Sequence, residues 1–239
     1  MTTKLTRHVA GFLGAVVAAG WAVLGPSVPI ASAQPCPDVE VVFARGTGEP
    51  PGVGGIGQAF VDALRSQAGA KSVNVYPVNY PASADFGGDR LAFAQTVVDG
   101  IRDAGSHVEA TAANCPNTRI VLGGYSQGAA VAGYVTSAAI PDSIPAEFRA
   151  FIPQPMPPEV ADHVAAVTLF GKPSDTFMAD VGAPPVVIGP LYSAKTIDLC
   201  VPDDTICNGA PVGGPNFAHA TYGVNGMVGE AAAFAVARL

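Results

Sequence analysis

Ser126 stands in the run GGYSQG, residues 123–128, where an apolar stretch gives way to small residues at helical spacing. Glycines two positions either side of a serine let neighbouring backbone pass close, and a tight strand-to-helix turn there would raise the hydroxyl above a sheet. A serine hydroxyl is a poor nucleophile until a base accepts its proton, so a histidine and an acid behind it are required next. Beyond the first 33 residues the histidines are His107, His163 and His219. His107 precedes the serine, the wrong order for such an elbow, and reads as a solvated helix residue. His163, in Val160-Ala161-Asp162-His163 just before a strand, is the lesser alternative. His219, in a late loop before the terminal helix, completes the order serine, acid, histidine.

The acid should lie between Ser126 and His219, in a loop after a strand. Asp175, Asp180, Asp198, Asp203 and Asp204 are available. Asp198 reads as part of a strand. Asp203 and Asp204 fall between Cys200 and Cys207, where a staple across an exposed loop would hold a carboxylate in place to orient an imidazole. Spacing does not separate the two. Charge developing on an attacked carbonyl oxygen needs donors as well: the backbone N–H of Gln127 is one. Thr47, in Ala44-Arg45-Gly46-Thr47-Gly48-Glu49, offers an N–H and a hydroxyl for the second. Phosphate binding by that loop is disfavoured, because neither G-x-G-x-x-G nor a P-loop lysine follows. The chemistry these residues support is acyl transfer through a covalent intermediate, with no metal and no organic cofactor.

The elements that must position them follow from pattern. Residues 39–44, 72–78, 119–122, 164–170 and 195–199 read as strands. Residues 56–67, 89–110 and 129–139 read as helices, the first with Phe60, Ala63 and Leu64 at helical spacing and the second with Leu91, Val98 and Ile101 on its buried face. Alternating strands and helices imply a mostly parallel sheet covered on both faces, with ligands beyond the carboxyl ends of the strands. The loops after Ala44, Leu122, Phe170 and Leu199 therefore share one working edge. An apolar, proline-rich segment, residues 183–192, would lie beside it as a lipid-contacting loop if exposed and join the core if buried.

The first 33 residues carry Lys4, Arg7 and His8, then an apolar run ending in Ala31-Ser32-Ala33, and read as a cleaved export signal rather than a membrane anchor. The whole chain has 12 Lys and Arg against 19 Asp and Glu, a net charge of −7; without Lys4 and Arg7 the remaining 206 residues carry −9. That surface disfavours nucleic acid, and about 200 residues close a single core, so residues 34–239 read as one domain. Nothing specifies an oligomer, and a monomer is expected. Cys36, Cys115, Cys200 and Cys207 read as two disulfides in an exported chain; three pairings exist, and the proximity of Cys200 to Cys207 favours a short staple, leaving Cys36 for Cys115. Their spacing does not suit zinc.

Four motifs in order, FARGTGE, GGYSQG, CVPDDTIC and FAHATYG, resemble the cutinase family, especially the small secreted cutinase-like esterases of actinobacteria. The likeness runs from Cys36 to the terminal helix. It implies a three-layer α/β-hydrolase with a small, mostly parallel central sheet and no large cap domain, hydrolysing esters. On this chain it implies Ser126 as nucleophile, His219 as base and Asp204, four residues after the first cysteine of the late staple, as acid. It further implies Thr47, where many members carry serine, and Gln127 as oxyanion donors, and disulfides joining Cys36 to Cys115 and Cys200 to Cys207. The loop after Arg45 and the longer interval from Cys207 to His219 depart from fungal members, which weakens any preference for cutin. Short- to medium-chain esters are the expected substrates, with lipase or phospholipase activity as the alternative and transient contact with a lipid surface. A serine peptidase, or a secreted binding protein on a decayed hydrolase fold, would fit less well. The expected location is outside the cell, in part at the wall.

Overall fold

Five short runs rich in β-branched and apolar residues pair side by side in the computed structural model, which describes residues 35–211 and 214–239. They are β1 (Val39–Ala44), β2 (Val73–Pro77), β3 (Arg119–Tyr125), β4 (Val164–Phe170) and β5 (Thr196–Leu199), in the order β2-β1-β3-β4-β5. Every pairing is parallel. A parallel sheet must be covered on both faces, and β1 and β4 are buried at every position. The expected signal segment, residues 1–33, lies outside the described residues.

Two helical layers supply the cover. On one face lie α1 (Gly54–Gln67) and α7 (Met227–Val236); on the other lie α2 (Arg90–Asn114) and α3 (Gln127–Val135). Short helices α4 (Ala146–Arg149), α5 (Asp175–Asp180) and α6 (Pro190–Ser193) occupy the connections, so no large cap domain is inserted among the described residues. The α1/α7 side is built on Phe43, Phe60 and Phe170, whose ring centroids lie 5.6 to 6.2 Å apart. The other side is finer grained: Ala129, Val131 and Ala132 of α3 pack with Leu122 and Val167. Small residues there let α3 approach the sheet closely.

Register sets the working edge. Ala44 pairs with Gly124, Tyr125 with Phe170, and Phe170 with Leu199. Positions 45, 126, 171 and 200 therefore emerge together at the carboxyl ends of the strands.

Several expectations shift. Gly123 and Gly124 do not leave the strand; β3 continues through them to Tyr125, and α3 starts at Gln127 and ends four residues before the expected Ala139. Helix α2 runs on to Asn114, but Leu91 is 59% exposed and not on a buried face, because the first two turns of α2 stand clear of the core and burial begins at Val98. His107 is not a solvated helix residue. Its ring stacks on Tyr76 at 3.5 Å and its Nε2 lies 3.0 Å from Oε1 of Glu40, a buried carboxylate on β1 that needs a polar partner. The segment 183–192 divides: Val186 is buried against α3, Val187 is 60% exposed, and α6 forms at its end.

Cys36 is bonded to Cys115, 79 positions along the chain, tying the entry to β1 to the end of α2. Closing so long a loop restricts the unfolded chain most. The double variant Cys36→Ser/Cys115→Ser is expected to lose roughly 3–4 kcal/mol of unfolding free energy in denaturant titrations. A loss below about 1 kcal/mol would contradict that.

Candidate active site

Between β3 and α3 the chain reverses within a single residue. Ser126 adopts φ 57°, ψ −119°, a region that residues with a Cβ rarely enter. Its neighbours explain how the turn closes. A Cβ on Gly124 would overlap the Gly128 carbonyl, and a Cβ on Gly128 would overlap the carbonyl oxygens of Ala44 and Arg45. The two glycines of G-x-S-x-G thus allow strand, helix and the loop after β1 to meet without side chains between them. The Ser126 N–H donates to the Phe170 carbonyl at 2.9 Å, and its own carbonyl accepts from the N–H groups of Ala129 and Ala130. Half-buried, the serine is anchored on both sides.

His219 Nε2 lies 2.8 Å from Ser126 Oγ, and His219 Nδ1 lies 2.7 Å from Asp204 Oδ2. The histidine sits in a single 3₁₀ turn, Phe217–Ala220, and is buried. Asn216 caps that turn by accepting from the His219 N–H, and its Nδ2 donates to the Asp203 carbonyl at 2.7 Å. The Tyr125 hydroxyl donates to the His219 carbonyl at 2.7 Å. The histidine loop is therefore tied to the acid loop on one side and to the residue preceding the serine on the other.

Asp204 is fully buried in the loop closed by the Cys200–Cys207 disulfide, while Asp203 is exposed and contributes its carbonyl. The Ile206 N–H donates to Asp204 Oδ1 at 3.0 Å, the Tyr222 hydroxyl donates to Oδ2 at 2.6 Å, and the Cys207 sulfur lies 3.2 Å from Oδ2. Burial would raise the carboxyl's pKa. Hydrogen bonds from His219, Tyr222 and Ile206 outweigh it and hold the group below the ordinary carboxylate range. Burial also pushes the phenols of Tyr125 and Tyr222 well above their usual range. Asp175 and Asp180 are exposed on α5, Asp198 pairs with Lys172 at 3.4 Å, and His163 precedes β4 at the opposite edge of the sheet. None of these meets Ser126.

Gln127 is the first residue of α3, so its N–H has no carbonyl one turn behind it in the helix. Its buried side chain donates to the Ser83 carbonyl at 3.2 Å, and its Oε1 has no hydrogen-bond partner among the described residues. Thr47 is half-buried in the loop after β1, which is braced around it. Arg45, buried beneath, donates to the carbonyls of Glu49, Val78 and Tyr80; the Glu49 carboxylate accepts from the N–H groups of Gly46 and Gly55 at 2.6 and 2.7 Å; the Gly48 N–H donates to Ala82 at 2.7 Å. A loop fixed at each flank leaves Thr47 little freedom.

Two residues here escape the sequence reading. Gly171 ends β4 with φ 58°, and a Cβ on it would stand 3.0 Å from His219 Cε1 and 3.1 Å from Asp204 Oδ2. A glycine directly after a strand that reaches the working edge is its only trace in the sequence. Tyr222, three residues after His219, gives no sign in the sequence that its hydroxyl reaches an aspartate. The variant Gly171→Ala is expected to fold, losing about 1 kcal/mol or a few degrees in thermal midpoint. Its kcat should fall at least roughly tenfold, since small misplacements of reacting groups are amplified in rate. A kcat equal to the parent's would contradict this packing constraint.

A hydroxyl, an imidazole and a buried carboxylate in one hydrogen-bonded line at a strand-to-helix turn can deprotonate the hydroxyl for attack on a carbonyl. The family model described as Cutinase matches residues 35–239. The chain is 58% identical over 180 residues to the Mycobacterium tuberculosis protein named "Probable carboxylesterase Culp5", covering 75% of this chain and 95% of that one. It is 44% identical over 233 residues to "Phospholipase Culp4" of the same organism, covering 98% and 92%. Among solved structures, Trichoderma reesei cutinase in complex with a C11Y4 phosphonate inhibitor superposes with a TM-score of 0.60 at 30% identity, over 85% of this chain and 77% of that one. With the hydrogen-bonded serine, histidine and aspartate on the same α/β-hydrolase frame, the chain belongs to the cutinase family and is a serine esterase acting on carboxylic esters.

Proposed function

We propose that Ser126, His219 and Asp204 are the catalytic nucleophile, base and acid, with Thr47 and Gln127 holding the oxyanion. The observation that carries this reading is the unbroken line from Ser126 Oγ to His219 Nε2 at 2.8 Å and from His219 Nδ1 to Asp204 Oδ2 at 2.7 Å, closed behind by a fully buried carboxylate. His219 accepts the serine proton as Oγ attacks the ester carbonyl. Thr47 and the Gln127 N–H receive the negative charge on the carbonyl oxygen. The imidazolium, held in one tautomer by Asp204, returns its proton to the departing alcohol. Water then repeats the attack on the acyl-enzyme, and the acid leaves.

The substrate we favour is a short- to medium-chain fatty ester, with transient contact at a lipid surface. Large apolar side chains flank the working edge: Phe217 and Val224 beside the histidine turn are 85% and 88% exposed, and Phe86, in the loop after β2, is 64% exposed. Such side chains give an acyl chain or lipid surface a place to lie without enclosing a long one. The similarity to a protein named as a phospholipase supports the second reading, hydrolysis of phospholipid in aggregates. We further propose that residues 1–33 direct export, that residues 34–239 are the mature domain, acting as a monomer, and that some of it stays at the cell wall.

Rates on a series of esters of increasing acyl length, and on phospholipid micelles, separate the two substrates. The expected result is a kcat/KM maximum at short to medium chains, with all turnover abolished in Ser126→Ala. A marked preference for micelles would favour the phospholipase reading. Turnover retained in Ser126→Ala would refute the nucleophile.

A further inference from the structure

Asp204 Oδ2 accepts two hydrogen bonds, from His219 Nδ1 at 2.7 Å and from the Tyr222 hydroxyl at 2.6 Å. The phenol is fully buried, and its oxygen accepts from the Val201 N–H at 3.2 Å. Its ring stands edge-on to the His219 ring, with centroids 6.3 Å apart. The hydroxyl is thereby held among the Val201 N–H of the stapled loop, the Cys207 sulfur at 3.3 Å, the aromatic neighbours and the carboxylate it serves. Phe170, at the end of β4, packs edge-to-face with the same ring, centroids 6.3 Å apart.

We propose that Tyr222 is a positioning residue of the esterase reaction, whose hydroxyl fixes the Asp204 carboxylate against His219 and shares the charge that the imidazole feels. This rests on the assignment of Ser126, His219 and Asp204 as nucleophile, base and acid. A second donor on the same oxygen has two effects. It keeps the carboxylate from rotating, so Nδ1 always faces an acceptor and Nε2 always faces Ser126. It also draws density from that oxygen, so the imidazolium formed during attack is held less tightly and releases its proton to the leaving alcohol.

Removing the hydroxyl leaves a carboxylate that is freer to turn and more basic. The pair of Asp204 and His219 then keeps a proton to higher pH, and activity is lost sooner as the medium is acidified. Other titratable groups face this site too. Tyr125 reaches the His219 carbonyl from β3, and Glu49 acts on Tyr125 from the loop after β1. Lys172, next after Gly171, is paired with Asp198 of β5 at 3.4 Å. Both phenols are held far above their ordinary range, chiefly by burial, so neither ionises near neutral pH. All these groups except Tyr222 are common to parent and variant, so a difference in profile belongs to Tyr222.

The test is Tyr222→Phe, with kcat, KM and the pH profile of kcat/KM on one soluble ester, and the downfield proton resonance of His219 Nδ1–H. The expected result is kcat lower by roughly tenfold, the order for one lost hydrogen bond to a charged group. KM should stay within about twofold, because the hydroxyl touches no substrate. The acid limb should move to higher pH and the downfield resonance should shift. An unmoved acid limb and resonance in a folded variant would overturn the proposal, even with a lower kcat, since packing alone accounts for that. Should the variant not fold, ring-fluorinated tyrosine at position 222 keeps the hydroxyl and makes it a stronger donor; the acid limb should then move to lower pH, and an unmoved limb overturns the proposal equally. Asp204→Asn distinguishes the underlying assignment: full activity there removes the triad itself, whereas inactivity there with an unchanged Tyr222→Phe profile removes only the role of Tyr222.

Discussion

A carboxylate taken out of water must be met by donated hydrogen bonds or it will keep its proton. Asp204 is fully buried, and among the described residues no lysine or arginine pairs with it; His219, Tyr222 and the Ile206 N–H take that place. Its neighbours at the working edge serve that satisfaction. The disulfide from Cys200 to Cys207 fixes the loop that carries the acid, Asn216 ties that loop to the histidine turn, and Gly171 leaves the space in which the three side chains meet. If the carboxylate turned away, His219 Nδ1 would lose its partner and the line to Ser126 would break.

The second demand falls on the backbone. Ser126 holds a conformation that disfavours a side chain, and the sheet compensates with contacts that only glycine permits at positions 124 and 128. Those contacts also press the start of α3 against the loop after β1. The same close approach seats Gly128 on the Ala44 and Arg45 carbonyls beside the turn at Ser126, and the buried Arg45 pins that loop to Val78 and Tyr80. The turn at Ser126 and the seat of the loop that carries Thr47 are two outcomes of one packing event.

Local pattern was enough to read the serine, the histidine and the alternation of strands and helices, because each rests on a short-range signal: glycines flanking Ser126, chain order for His219, β-branched runs for the sheet. Asp203 and Asp204 were inseparable by spacing, since neighbouring residues in a loop differ only in which way the fold turns them. Gly171 and Tyr222 left almost no trace, because their roles arise from contacts across 33 or more positions of chain and across 18, which no local period encodes. His107 and Leu91 failed in opposite directions for one reason. Helical spacing shows which residues share a face of α2, but not where along the helix the sheet begins to cover it. The end of α3 has no such local sign: small residues continue through Ala139, but the helix stops at Val135 with Thr136 as its C-cap.

The most direct measurement of the central claim is the rate at which an organophosphonate labels the folded, disulfide-intact protein, with the modified residue located by mass spectrometry. The account predicts a single adduct on Ser126, no adduct in Ser126→Ala, and labelling slowed by several orders of magnitude in Asp204→Asn, the magnitude expected when the imidazole loses its orienting carboxylate. An adduct on another residue, or Asp204→Asn labelled as fast as the parent, would contradict it.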